Sequence, residues 1–282
     1  MATLPGSLFT ETSINQTDLA AFSAAVGAIN YDQPPEFGRG VERFTSPSDD
    51  TLVVSERHSY KLRPDEDDLV LEDGVVGKGN ADDNNILGST SNNVLDGGGG
   101  QDWLHGSDGN DTVVGGSGDD TVLGGSGNDT VRGGSGDDTV LGGSGDDTLD
   151  GGGGADRLTG GLGADTITGG DGEDTIIGGA GNDVMTGGKG NDVFLINETT
   201  PGSDTIKHFS KGDLLQIADR NADGHFTEGV DYNIEQVGSD ALISILDDQG
   251  DVAGSVTLSG VNKDNLQIVE DPTTHDGMFI IE

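Results

Sequence analysis

Between residues 101 and 195 the chain repeats itself every nine residues, a period too short for anything but a stack of very small coils. One complete copy reads Gly124, Gly125, Ser126, Gly127, Asn128, Asp129, Thr130, Val131, Arg132. The acid recurs at Asp102, Asp111, Asp120, Asp129, Asp138, Asp147, Asp156, Asp165, Asp174, Asp183 and Asp192 without a break. Two residues after each acid stands an apolar one: Leu104, Val113, Val122, Val131, Val140, Leu149, Leu158, Ile167, Ile176, Met185 and Phe194. Two degenerate copies come first, with Asn84 and Asn93 in the acid slot and Ile86 and Leu95 in the apolar slot.

Glycine pairs allow tight turns and let backbone carbonyls approach a common point with no Cβ in the way. The three residues after the acid are enough for a short strand whose middle side chain points to one face. Two repeats then make one flattened coil, and coils stack at about 4.8 Å, closing the apolar row between two sheets. The expected fold is all-β: a right-handed parallel β-roll (β-helix) of stacked nonapeptide repeats. Alternate acids fall on the same edge, so Asp102, Asp120, Asp138, Asp156, Asp174 and Asp192 form one ladder and the other five acids a second. Neighbouring carboxylates in such a ladder repel by roughly 1 kcal/mol in water and more in a lower dielectric.

Something positive must therefore enter the stack. The chain has a formal net charge of -39, which also excludes nucleic acid and anionic membrane as partners. With no cysteine there is neither a disulfide framework nor a thiolate site. Carboxylate and carbonyl oxygens in a flexible turn select Ca²⁺ over transition metals and over Mg²⁺. One ion between successive turns on each edge gives five ions on one and four on the other, about nine in the roll. Without them, a chain with 51 glycines and 31% hydrophobic residues is expected to be disordered.

Three regions are expected: 1–80, a small irregular segment with a short helix over "LAAFSAAVGAI" at 19–29; 81–196, the calcium-binding roll; and 197–282, a C-terminal β cap. The cap is read from alternating runs such as "DALISIL" at 240–246 and "GSVTLSGV" at 254–261. No basic leader precedes the apolar stretch at 19–29, and nothing reaches the 20 or so apolar residues of a membrane span. A second cation candidate is "DRNADGHFTEGV" at 219–230, which resembles an EF-hand loop with Asp219, Asn221 and Asp223 at alternate positions and Gly224 at the turn. Its twelfth residue is Val230, where a bidentate Glu belongs, so an ion site and a polar hairpin loop are both open.

The unit "GGSGNDTVR" and its neighbours resemble the repeats-in-toxin (RTX) family of hemolysin-type calcium-binding proteins. The segment "GSDTIKHFSKGDLLQI" at 202–217 and the tail "DGMFIIE" at 276–282 are similar to the C-terminal targeting regions of type I secretion substrates. The resemblance implies unfolded export by type I secretion machinery, without an N-terminal signal peptide, and folding in calcium outside the cell. Ser107, Asp150 and the Asn84 and Asn93 slots depart from the pattern, and weaker or absent ion sites are expected there.

No enzyme is expected. The histidines His58, His105, His208, His225 and His275 make no H-E-x-x-H, and no serine lies in G-x-S-x-G. The readings left are a secreted structural or surface protein, a detached carbohydrate-binding module like those of alginate epimerases with polysaccharide or a cell surface as partner, and an ice- or surface-binding roll. On one outer face the residues after the core row are His105, Leu123, Leu141, Thr159, Ile177 and Leu195, apolar enough that a cover is expected.

Overall fold

A computed structural model describes residues 41–45, 51–55, 59–64, 66–71, 76–196, 202–217, 232–247, 249–270 and 277–281. The chain divides into Met1–Gly38 and Arg39–Glu282, and all described residues belong to the second unit. The expected helix at 19–29 and the EF-hand-like residues Asp219, Asn221 and Asp223 lie outside the described residues.

Two sheets of 13 and 12 strands receive the strands from Thr51–Ser55 to Leu214–Ile217 alternately, giving the β-roll. Trp103–Asp108, Thr121–Ser126, Thr139–Ser144, Arg157–Leu162 and Thr175–Ala180 lie parallel in one. Thr112–Ser117, Thr130–Ser135, Thr148–Gly153, Thr166–Asp171 and Val184–Lys189 lie parallel in the other. The register repeats without slip: Val122 faces Val140 and Val131 faces Leu149. Each strand has six residues rather than three, because the ladder runs through the glycine pair, as in Gly125 opposite Gly143.

The apolar row lies between the sheets, and every member from Leu104 to Phe194 is buried. It continues at both ends where the nonapeptide does not. Leu69, Ile86 and Leu95 precede it, and Ile206 and Leu215 follow it, opposite Met185 and Phe194. The segment before Asn80, expected to be irregular, holds strands Ser59–Lys61, Asp68–Leu71 and Val76–Lys78 that extend both sheets in parallel. Their inward residues keep the side-chain alternation while turn lengths vary, so no fixed period betrays them.

At the C-terminal end the pairing changes. Val252–Leu258 lies parallel to Gly202–Lys207 and carries Asp240–Leu246 and Tyr232–Val237 antiparallel beyond it. Gly277–Ile281 lies antiparallel to Leu214–Ile217 and pairs with Leu266–Glu270. This β cap covers the last coil of both sheets, with Phe279, Ile243 and Val256 buried and Tyr232 edge-on to Phe279 at 5.4 Å. Among the described residues no helix is long and apolar enough to cross a membrane. On the outer face expected to need a cover, Leu123 and His105 are each 8% exposed, whereas Leu141, Ile177 and Leu195 are half-buried.

Candidate metal centre

All eleven acids from Asp102 to Asp192 sit in the turns between sheets and are 1–3% exposed. One oxygen of each is already used. Oδ1 accepts the backbone N–H of the slot residue one coil earlier, from Asn84 to Asp102 at 2.7 Å through to Asp174 to Asp192 at 3.1 Å. The second edge repeats the bond from Asn93 to Asp111 at 2.7 Å through to Asp165 to Asp183 at 2.9 Å. For the nine acids from Asp102 to Asp174, Oδ2 is buried and meets no donor. A buried carboxylate oxygen without a partner costs too much to recur nine times by accident.

The first glycine of each repeat shows what that oxygen faces. A Cβ added to Gly124 would fall 2.5 Å from Asp129 Oδ2 and 2.7 Å from the carbonyl of Gly142, one coil on. At Gly142 the corresponding distances are 2.5 Å to Asp147 Oδ2 and 2.6 Å to Gly160 O. The same pair of oxygens converges beside each glycine from Gly97 to Gly169, one spot for each acid from Asp102 to Asp174. Each spot is too small for a methyl group, which is why glycine stands there, and the carboxylate and carbonyl oxygens gathered beside it are the donor types of a hard cation. The residues present therefore fit calcium. Gly124→Ala should abolish one site, and calorimetry should count one ion fewer than in the parent; an unchanged count would refute the placement.

Electrostatics agree. Burial pushes Asp102, Asp111, Asp138 and Asp147 up to about 7 from the ordinary 3.8, and Asp120, Asp129, Asp165 and Asp174 up to about 6. The backbone N–H on Oδ1 opposes this rise, and for most of them neighbouring carboxylates add to it. Positive charge in the gaps would offset this cost and favour the ionised form.

The ladders end in groups that satisfy themselves. At the N-terminal end the amide oxygens of Asn84 and Asn93 accept N–H groups of their own turns, Asn80 at 2.8 Å and Ser89 at 2.6 Å. One coil earlier, buried Glu66 accepts Tyr60 Oη at 2.9 Å and Arg63 N–H at 2.9 Å. At the other end Asp204 and Asp213, which the nine-residue count passes over, occupy the acid slot 21 residues after Asp183 and Asp192. Asp213 Oδ2 accepts Ser210 N–H at 2.7 Å. Their signal was present as glycine, acid and aliphatic in "GSDTI" and "GDLL", out of phase by three residues. Asp150 is not in a ladder: it is half-buried on an outer face, 3.9 Å from Arg132.

Overlapping stretches 78–113, 96–131, 105–140, 132–167 and 159–194 match the family described as RTX calcium-binding nonapeptide repeat (4 copies). No curated protein matches the chain. Among solved structures, the chain is similar to the extracellular lipase LipA from Serratia marcescens, at 18% identity and a TM-score of 0.36. The match covers 74% of this chain and 41% of that lipase, so the chain spans less than half the lipase's length.

Proposed function

We propose that this chain, whose residues 78–194 are RTX calcium-binding nonapeptide repeats, is a secreted protein that folds on meeting calcium outside the cell and then serves a structural or surface role. The observation that supports this is the run of nine buried, donorless carboxylate oxygens, each facing a carbonyl of the next coil. About nine ions are expected, one for each acid from Asp102 to Asp174. Bound calcium supplies the positive charge that lets the ladders close while ionised. The chain's own part is to hold Oδ1 on the neighbouring backbone and aim Oδ2 at the gap. This role requires no catalytic group, and the scattered histidines offer none in a known constellation.

Export by type I machinery is supported by the resemblance of 202–217 and 276–282 to targeting regions. Co-expression with such an exporter should bring the chain into the medium, and removal of 202–282 should keep it inside; export of the truncated chain would refute the assignment. Thr112, Thr130, Thr148 and Thr166 stand in register on the outer face of one sheet, a hydroxyl row that supports contact with a polysaccharide or surface. A glycan array tests it. Within the roll, Asp129→Ala should remove one ion and lower hydrogen-exchange protection around residues 124–147. Asp150→Ala should leave the ion count unchanged. Equal losses would contradict the ladder assignment.

A further inference from the structure

We propose that an Asn or Asp immediately before the acid slot is a positioning residue for the cation sites, an inference that rests on the calcium reading above. On one edge these residues are Asn92, Asn110, Asn128 and Asp146, and on the other they include Asp119 and Asp137. Each accepts, through Oδ1, the backbone N–H of its counterpart one coil later. Asn110 donates to Asn92 at 3.0 Å, Asn128 to Asn110 at 3.0 Å, Asp146 to Asn128 at 3.1 Å and Ala164 to Asp146 at 2.9 Å. On the other edge Asp137 donates to Asp119 at 2.9 Å and Ala155 to Asp137 at 2.8 Å. This ladder runs against the first: the acids accept from the coil before, these residues from the coil after.

The opposed directions determine which atoms face each gap. In a planar trans peptide the N–H and C=O point opposite ways. Asn128 N–H points back to Asn110, so the carbonyl of Gly127 in the same peptide points forward, onto Gly145. Asp129 N–H points forward to Asp147 Oδ1 at 2.7 Å. The gap above Asn128 thus has Gly127 O, Asp129 Oδ2 and Gly142 O on its borders. The N–H of Asp146, which also points into that gap, is covered by Asn128 Oδ1. Without this acceptor a bare N–H dipole would oppose a cation, and the peptide that orients Gly145 O would lose its anchor.

The sequence supplies its own contrast. Ala155 and Ala164 stand in the same slot and have no oxygen to offer Glu173 and Asn182, so the ladder breaks at both; on the second edge it is also interrupted at Gln101 and Glu173, whose side chains meet the next coil through other bonds. Calcium held in the gaps above Ala155 and Ala164 should bind more weakly than in the gaps above Asn128 and Asp137.

The test uses the full chain, with circular dichroism during calcium titration and Tb³⁺ luminescence lifetimes in H₂O and D₂O to count waters on the bound ion. Asn128→Ala should raise the calcium midpoint by about threefold to tenfold, the worth of one hydrogen bond, and add water to the probe. Asn128→Asp keeps the acceptor and should retain the parent's probe hydration. Ala164→Asn should lower the midpoint; since Asn128→Ala and Ala164→Asn are neutral exchanges, charge cannot explain either result. A parent that folds with calcium while both neutral variants titrate like it overturns this proposal alone. So does Asn128→Ala losing thermal stability in saturating calcium with probe hydration unchanged, which marks a merely structural contact. A parent indifferent to calcium overturns the calcium reading and this inference together.

Discussion

Addition of a chelator to the calcium-loaded protein is expected to abolish the strand signal and amide protection of residues 94–196 in one cooperative step. Each site filled at 100 times its dissociation constant stabilises the roll by about 2.7 kcal/mol, and nine such sites supply on the order of 20 kcal/mol. Whole domains are stable by only about 5–15 kcal/mol, so removal of that linkage exceeds anything the apolar row holds in reserve. The row is also thin: one side chain per nine residues, from Leu104 to Phe194, against the entropy of ordering paired glycines in every turn. Returning calcium should restore the signal, and calorimetry should count about nine ions. A chelated sample that keeps its dichroism and its protection would show that the carboxylate ladders close without a cation, and the functional reading would fall with them.

The roll was legible because a nine-residue period gives each slot a single task. Val122, Val131 and Val140 can only be one buried row, and Asp120 and Asp138 can only be neighbours on an edge; the structure has both. The count of coils was less legible. Leu69 and Leu215 extend the row, but they are reached through turns of other lengths, and side-chain alternation survives a change of turn that a count of nine does not. The sequence implies strands shorter than those formed because glycine is a poor strand former, whereas here Gly125 and Gly143 pair across coils. The opposed ladder of residues preceding the acids has no signature in the sequence, for a different reason. Asn110 and Asn128 read as ordinary turn residues, and the direction of their bonds exists only once coil lies on coil.

Lowering the pH in the presence of chelator is expected to do part of what calcium does. Burial raises eight of the ladder acids to about 6 to 7 in the folded, metal-free state, against an ordinary 3.8. Between those limits the closed roll holds more protons than the open chain, so its stability falls as pH rises from about 4 to about 7, and is greatest below that window. Acidification from pH 8 to pH 5 with chelator should therefore raise strand content, the reverse of ordinary acid denaturation. Stopping at pH 5 keeps the sample above its isoelectric point near 4.1, where precipitation would confuse the readout. A chemical version of the same argument separates proton uptake at the ladder from general loss of charge. In Asp129→Asn the amide oxygen retains the bond from Asp111 N–H, while the new NH₂ faces the carbonyl of Gly142 and donates where the carboxylate could not. Asn84 and Asn93 already fill the slot with amides at the start of the roll. Asp129→Asn should thus bind one ion fewer yet need less acid to close in chelator, with its transition shifted to higher pH. A shift to lower pH, or none, would mean that Asp129 Oδ2 does not face the carbonyl that defines the site.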